Sequence, residues 1–510
     1  MGLVDEKPRH AASVMSPMTP LAFLDRAEAM FGDRVAILDD GRSITYAAMA
    51  ERVGRAASVL REAGIGTGDV VAVLAPNTTM MLESHYSVPH AGAVLLTLNV
   101  RLSPGELARI VAHAGARLLL HDDELAGVAH AIPGLDRISA SELERRMVGA
   151  DRLLAAPVDE QALLSLNYTS GTTGRPKGVM YHHRGAYLQA LAMAYHSQLG
   201  PGDIHLWTLP MFHCNGWCFT WAVTAAGATH LCLRRVEAGA IWRRIDDHAV
   251  TSLNAAPTVL TMLAWDDAAH PLTRPVRIGT GGAPPSPSLL ERMEALNFGV
   301  SHLYGLTETL GPIIACQWQP EWDALPLAER ARLLARQGNA NIAGASVRVL
   351  DGEVQVRGNT IMLGYYRDPA ATAEAFTADG WLRTGDIGVL HEDGYLELRD
   401  RAADVIISGG ENIASIEVEQ AIASHPAVLE VAVVSMPDER WGEVPLAHVT
   451  LRPGAEASAD EVIAHVKDRL ARFKAPKRVV FGPLPKTSTG KVQKFLLRDQ
   501  AWEGRGRRVG

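Results

Sequence analysis

Tyr168-Thr169-Ser170-Gly171-Thr172-Thr173-Gly174-Arg175-Pro176-Lys177-Gly178 gathers hydroxyls, glycines and two cations into eleven consecutive residues. Backbone N–H groups can close on an anion only where side chains are small or absent, and Ser and Thr hydroxyls add directional donors. The composition is that of a loop gripping a polyphosphate, and it points to ATP. A polar surface turn would use some of the same residues. The apolar Leu163, Leu164 and Leu166 just before it make it a strand running into a loop, where ligands are commonly held.

Two widespread nucleotide loops are excluded by spacing. The phosphate loop of motor and switch NTPases needs Gly immediately before its Lys and Ser or Thr immediately after. Here Pro176 and Gly178 occupy those places. Gly279-Thr280-Gly281-Gly282-Ala283-Pro284 fails the dinucleotide pattern, because Pro284 stands where its last glycine belongs.

Bulk properties narrow the class. A chain of 510 residues exceeds one compact core, so two to four structural units are expected. The net charge of −8 and the 47% hydrophobic content suit an ordinary soluble protein and argue against a nucleic-acid partner. The basic tail Arg505, Arg507, Arg508 reads as a frayed end. Cys214, Cys218, Cys232 and Cys316 are too few and too scattered for a disulfide framework. They read as buried thiols in a reducing cytoplasm rather than as a metal site with His213. No signal-peptide core follows the charged N-terminus. The uncharged run Cys214–Leu233 carries Asn, Gly, Thr and His, and so reads as a buried helix followed by a strand rather than a membrane span.

The pattern of the chain is layered α/β. Asp69–Leu74, the helix-compatible Met80–Val88 and Gly92–Leu96 read as βαβ, with further buried strands at Arg117–Leu120 and Val250–Leu253. From about Gly344 the apolar and polar positions alternate in Ser346–Val349, Glu353–Val356 and Tyr395–Leu398, which predicts a small antiparallel β-barrel over about 344–400. Beyond Arg401 the pattern resets. Strands at Val431–Val434 and Ala447–Leu451 surround helices, one opened by the capping box Ser458/Glu461 and striped by Val462, Ile463, Val466 and Leu470. The expected division is a large N-terminal domain over 1–400 and a smaller α+β domain over 401–510.

Several motifs then agree, in order, with one family: 168–178, Gly282-Ala283-Pro284, Tyr304-Gly305-Leu306-Thr307-Glu308-Thr309, Thr384-Gly385-Asp386, Arg401, Ser408-Gly409-Gly410-Glu411-Asn412 and Thr489-Gly490-Lys491. From about Thr19 to Arg498 the chain resembles an AMP-forming acyl-CoA synthetase of the adenylate-forming superfamily, nearest the fatty and short-to-medium-chain group. The resemblance implies ATP, Mg2+ and coenzyme A as co-reactants, with a small carboxylic acid as substrate. It implies no nucleic acid and no membrane span, and leaves a homodimer open.

Carried over residue by residue, the resemblance makes Lys491 the lysine of adenylation. Glu308 becomes the magnesium-binding glutamate, with Thr172 as its companion. ATP and AMP would be held by Thr169, Ser170, Gly171, Thr172, Thr173, Gly174, Lys177, Gly282, Ala283, Pro284, Tyr304, Gly305, Thr307, Thr309, Asp386 and Arg401. Within that set Tyr304 faces adenine, Asp386 accepts from the ribose hydroxyls, and Arg401 donates to ribose or phosphate. A structural ion pair is the rival reading of Asp386 and Arg401. Bringing a carboxylate to the α-phosphate sets two anions together, so cations at the reacting oxygens are what the chemistry demands.

The second step implies rotation of the C-terminal domain about a hinge at Asp400–Ala403, so that Ser408, Gly409 and Gly410 replace Lys491 at the cleft. Trp441, Phe473 and Lys477 match coenzyme-contacting positions, with surface packing as the rival. Ala403 departs from the charged residue usual at that hinge. Pro210–Cys218 resembles the acyl-pocket segment, with His213 and with Trp217 as the gate. Ala255, Ala256, Gly281, Gly305, Leu310 and Gly311 would complete an apolar wall without a cation, predicting an uncharged aliphatic or arylalkyl tail. Rival functions are an aryl-CoA ligase, a luciferase-like oxidase, an adenylating enzyme feeding an amine or carrier protein, and a nucleotide-binding regulator.

Overall fold

The computed structural model describes residues 16–155, 159–169, 176–283, 285–487 and 491–503. Strand Val70–Leu74 is buried at every position, as its unbroken apolar run requires. Its alternate residues serve two cores. Val71 and Val73 join Leu95, Tyr46, Met49, Val53, Phe219 and Trp221 on one side. Val70, Ala72 and Leu74 meet Leu107, Ile110 and Val111 of helix Pro104–Ala114 on the other. That helix is fixed at its start by a Ser103/Glu106 capping box and at its end by Gly115, at φ 68°.

The strand sits inside a six-stranded sheet in the order Asp136–Ser139, Ala116–His121, Val70–Leu74, Val94–Thr97, Leu163–Thr169, Lys177–His182. All neighbours run parallel except the last pair, an antiparallel hairpin in which Thr169 lies opposite Lys177. Thr169 and Lys177, on either side of the hydroxyl- and glycine-rich stretch, are therefore partners in an edge hairpin. Ser170, Gly171, Thr172, Thr173 and Gly174 themselves lie outside the described residues, as does Pro284.

A second, nine-stranded sheet has a parallel centre formed by Phe298–Leu306, Val276–Thr280, Ser252–Ala255, Ile204–Leu206, Thr229–Leu231 and Val35–Asp39, with antiparallel strands at both edges. The uncharged Cys214–Leu233 run folds as expected into helix Phe219–Ala226 and strand Thr229–Leu231. Among the described residues no helix is long and apolar enough to cross a membrane. All four cysteines are buried and free.

The stretch expected as a small barrel is a four-stranded antiparallel sheet. Ser346–Leu350, Glu353–Arg357, Leu382–Leu390 and Leu396–Arg401 follow one another in a meander, and Leu396 of the last strand is bridged in turn to Gly338. The final unit has five strands around the long hairpin Val428–Asp438/Gly442–Leu451, with Arg478–Phe481 added in parallel. Helix Ala459–Lys467 carries the Ser458/Glu461 capping box, and Val462 and Val466 are fully buried.

Candidate active site

The cleft forms where neighbouring parallel strands end together, the usual place for ligands in open α/β sheets. Ala255, Thr280 and His302 share a register across three strands, so Ala256, Gly281 and Gly282 lie just beyond two of those ends. Strand Phe298–Leu306 continues past them into the short turn Thr307–Thr309. Thr309 is fully buried; its hydroxyl donates to the Gly311 carbonyl at 2.6 Å and accepts from the Leu306 N–H at 2.8 Å. It builds the turn that presents Thr307 and Glu308. A Cβ at Gly305 would lie 2.1 Å from the Gly311 carbonyl oxygen, so the close approach of these two segments requires glycine there.

Three predicted nucleotide residues come together around one carboxylate. Asp386 and Arg401 are cross-strand partners, and Arg401 Nε stands 2.6 Å from Asp386 Oδ1. The Tyr304 hydroxyl donates to Asp386 Oδ2 at 2.6 Å. Asp386 is only 2% exposed, so both oxygens are held in fixed directions. Burial, followed by the neighbouring Asp386 charge, holds the Tyr304 phenol well above its usual range, so it stays a donor.

Lys491 enters this cleft from the C-terminal unit. Its N–H donates to the Thr487 hydroxyl at 3.1 Å and its carbonyl accepts from the Thr487 N–H at 2.7 Å, which fixes its backbone to Thr487. The residue is exposed to solvent, and its ammonium lies among the charges of Arg401, Asp386 and Asp404. Desolvation, then Arg401, lowers its pKa to about 8, against the opposing pull of Asp386 and Asp404. His213 is pushed down to about 4, first by burial and then by Lys491. One ammonium group therefore acts electrostatically on both the Asp386–Arg401 pair and the Pro210–Cys218 segment.

Glu308 accepts from the Tyr365 hydroxyl at 2.8 Å through Oε1. The Lys177 ammonium lies 4.8 Å from the Tyr365 ring centroid. Tyr365 thus joins the end of the edge hairpin to the glutamate, a role that sequence reading missed. The only local hint is the aromatic and basic cluster Tyr365-Tyr366-Arg367 beside Gly364.

The acyl segment has an unexpected backbone. Cys214, Asn215, Gly216, Trp217 and Cys218 all have positive φ, at 46°, 44°, 57°, 54° and 64°. Such a left-handed turn costs about 1–2 kcal/mol for each non-glycine residue. Side-chain bonds offset it. The Asn215 N–H donates to Asn167 Oδ1 at 3.0 Å, while Asn215 Oδ1 accepts from Asn167 Nδ2 and Ser165 Oγ, both at 2.6 Å. Cys214 Sγ lies 3.1 Å from Thr307 Oγ1.

The turn lays Trp217 across two glycines. A Cβ at Gly281 would stand 3.1 Å from its ring, and one at Gly311 would stand 3.2 Å from its Cα. Leu310 is fully buried against Gly185 of helix His183–His196. Ala255 belongs to the core of the nine-stranded sheet.

The coenzyme candidates stand apart on the C-terminal unit. Gly409 and Gly410, at φ 60° and 89°, turn the hairpin after Ser408. The Gly409 N–H donates to the Trp441 carbonyl at 2.8 Å, and a Cβ there would meet the Trp441 ring at 2.6 Å. Trp441 and Phe473 are both exposed, as is Lys477. Among the described residues no group of three His, Cys, Asp or Glu could hold a metal ion.

The AMP-binding enzyme pattern matches residues 24–366, and that of the AMP-binding enzyme C-terminal domain matches residues 417–491. The chain belongs to the AMP-binding enzyme family. As such it is an adenylate-forming acyl-CoA synthetase, passing an acid through acyl-AMP to coenzyme A. This AMP-binding enzyme is 42% identical to an acetate–CoA ligase of Humulus lupulus, over 98% of this chain and 97% of that protein. It is 40% identical to a peroxisomal acetate/butyrate–CoA ligase of Arabidopsis thaliana, over 98% and 97%. Among solved structures it resembles ATP-bound MatB from Rhodopseudomonas palustris, with a TM-score of 0.83 and 27% identity over 95% of this chain and 99% of that one. For the apo form of MatB the score is 0.74.

Proposed function

We propose that this enzyme activates a short monocarboxylic acid with an uncharged tail, and that Lys491, Asp386, Arg401 and Tyr304 form the centre of the adenylation site. The observation that carries this reading is the Asp386 carboxylate fixed by Arg401 Nε and the Tyr304 hydroxyl, with Lys491 near enough to act on this pair and on His213. There a cation can face both the incoming carboxylate and the α-phosphate. One carboxylate oxygen attacks the α-phosphorus, the bond from that phosphorus to the bridging oxygen breaks, and pyrophosphate leaves. The thiol sulfur then attacks the acyl carbon, the C–O bond to AMP breaks, and the thiol proton passes to solvent.

Asp386 is already directed by Tyr304 and Arg401, so it offers fixed acceptors to ribose hydroxyls. Glu308 suits a hard cation such as Mg2+ by donor chemistry, since one oxygen is oriented by Tyr365. Thr172, the proposed companion, lies outside the described residues. When bound, such a cation would neutralise charge on the triphosphate. The better match to ATP-bound than to apo MatB supports a cleft set for adenylation.

Trp217 packed on Gly281 and Gly311 leaves an apolar wall suited to a small tail, in keeping with the acetate and butyrate named for the relatives. The four reduced thiols suit a cytoplasmic location, with the peroxisome as the alternative suggested by the Arabidopsis relative. AMP release measured over a panel of acids, with and without coenzyme A, tests the reading. Acetate to butyrate should turn over best, and selective turnover of dicarboxylates would overturn the pocket argument.

A further inference from the structure

Lys491 is followed three residues later by the last described helix, Lys494–Ala501, whose Lys494 and Arg498 share one face. Lys494 Nζ donates to Ser415 Oγ at 2.7 Å and pairs with Glu419 Oε1 at 2.7 Å. Ser415 Oγ donates in turn to Asp400 Oδ1 at 3.0 Å, and the Ser415 N–H donates to Asp400 Oδ2 at 2.5 Å. Arg498 Nη1 donates to the Ala403 carbonyl at 2.9 Å and to Asp404 Oδ1 at 2.6 Å.

Of these bonds, the two from Ser415 to Asp400 cross a structural boundary. Asp400 lies in strand Leu396–Arg401 of the four-stranded sheet, next to the Arg401 that pairs with Asp386. Ser415 opens helix Ser415–Ala423 on the C-terminal sheet. Asp400 therefore caps the start of a helix in the other unit, and Lys494 stands behind that cap. Between Lys491 and Lys494 there is little slack: Val492 bridges Lys486, and the Gln493 N–H donates to the Pro485 carbonyl at 2.8 Å. A shift of the helix start would carry Lys491 with it.

We infer that Lys494 and Arg498 are positioning residues that hold Lys491 at the adenylation site by tying its helix to Asp400, Ala403 and Asp404. The tie ends one residue from the Asp386–Arg401 pair, so it sets the distance between the catalytic lysine and the nucleotide residues. It also bears on Ala403: a residue without charge at the hinge is held through its carbonyl by Arg498 instead. Asp400 and Glu419 both face Lys494, whose charge opposes the upward shift that burial gives the two carboxyls.

The inference rests on the two-step reading of the cleft, and half-reactions separate the two. Lys494→Met, Arg498→Met and the milder Ser415→Ala are each assayed for acid-dependent pyrophosphate exchange and for thioester formation from supplied acyl-adenylate and coenzyme A. A misplacement near 1 Å should lower exchange by about 10- to 100-fold, while thioester formation changes by less than about 3-fold. Lys494→Arg should restore most of the exchange. The groups facing Lys491 are Arg401, Asp386, Asp404, Lys494 and, across the cleft, His213. Loss of the Lys494 charge should therefore move the alkaline limb of the exchange profile upward, which a merely structural role would not do. Unchanged ATP binding and a cooperative thermal transition show that a variant is folded, and Ser415→Ala carries the comparison if the others are not. Equal loss in both half-reactions, or loss in neither, overturns the inference. Absence of exchange in the unaltered enzyme would instead remove the acyl-adenylate reading beneath it.

Discussion

Lys491 must stay charged although it lies beside another cation, Arg401. Its pKa near 8, lowered by desolvation and by Arg401, places the loss of that charge close to neutrality. A reaction that needs the ammonium form should therefore run fully below that pKa and decline as pH rises through it. The alkaline limb is expected in kcat/KM for ATP, which reports the free enzyme, near pH 8 rather than near the ordinary lysine value. Lys491→Ala should remove pyrophosphate exchange by about 100-fold or more while leaving ATP affinity within a few-fold, because the lost contact belongs to the transition state. Retained exchange would end the assignment. Asp386→Asn tests the other side: it keeps the shape but removes the charge that Arg401 and Tyr304 direct, and should raise the KM for ATP.

Among the elements, the wall around Trp217 offers the sharpest expectation. Gly311→Ala places a methyl 3.2 Å from the Trp217 Cα at φ 103°, so both crowding and backbone oppose it. A loss of about 1–3 kcal/mol of stability is expected, read as a lower unfolding midpoint. Trp217→Ala should shift preference toward longer acids, measured as the ratio of kcat/KM for octanoate over acetate. Much of this region was legible in sequence, and its shape was not. The Ser458 capping box, the Val70–Leu74 strand and the helix–strand ending at Leu231 could be read because hydrophobic period and cap chemistry are local. The handedness of Cys214–Cys218 could not, because it is set by Asn167 and Ser165 almost fifty residues earlier. Strand Leu382–Leu390 escaped notice for a related reason: Gly385 and Gly388 interrupt its pattern where a turn would be expected. Tyr365 is far from Glu308 in sequence, and only the fold makes them neighbours. Motif chemistry, by contrast, singled out Tyr304, Asp386 and Arg401, which meet around one carboxylate.

For the whole molecule, two features tie distant parts together. Arg452 of the C-terminal unit lies 4.7 Å from the ring centroid of Trp265, which follows helix Pro257–Ala264 of the large unit. A cation–π contact of this kind contributes about 0.5–1 kcal/mol. Trp265→Ala should therefore slow pyrophosphate exchange by a few-fold and leave thioester formation from acyl-adenylate intact. The second feature is a set of buried neutral histidines. Burial lowers His85 and His302 to about 4 and His205 to about 3, and pushes His230 down as well. His205 is stacked on Phe219 and His230 on Trp207. Because their folded pKa lies below the unfolded one, the stability they contribute is complete above about pH 6.5 and is lost progressively as pH falls below it. The unfolding midpoint should begin to drop near pH 6, before most carboxylates titrate, and His205→Gln should flatten that first part of the slope.

The left-handed turn also limits how this protein can be re-engineered. A specificity cassette grafted from a relative as residues 210–218 alone would arrive without Ser165 and Asn167, and the donor backbone would relax into an ordinary right-handed coil. The graft must bring the strand residues beneath it, or else tryptophan and glycines will face one another in the wrong order.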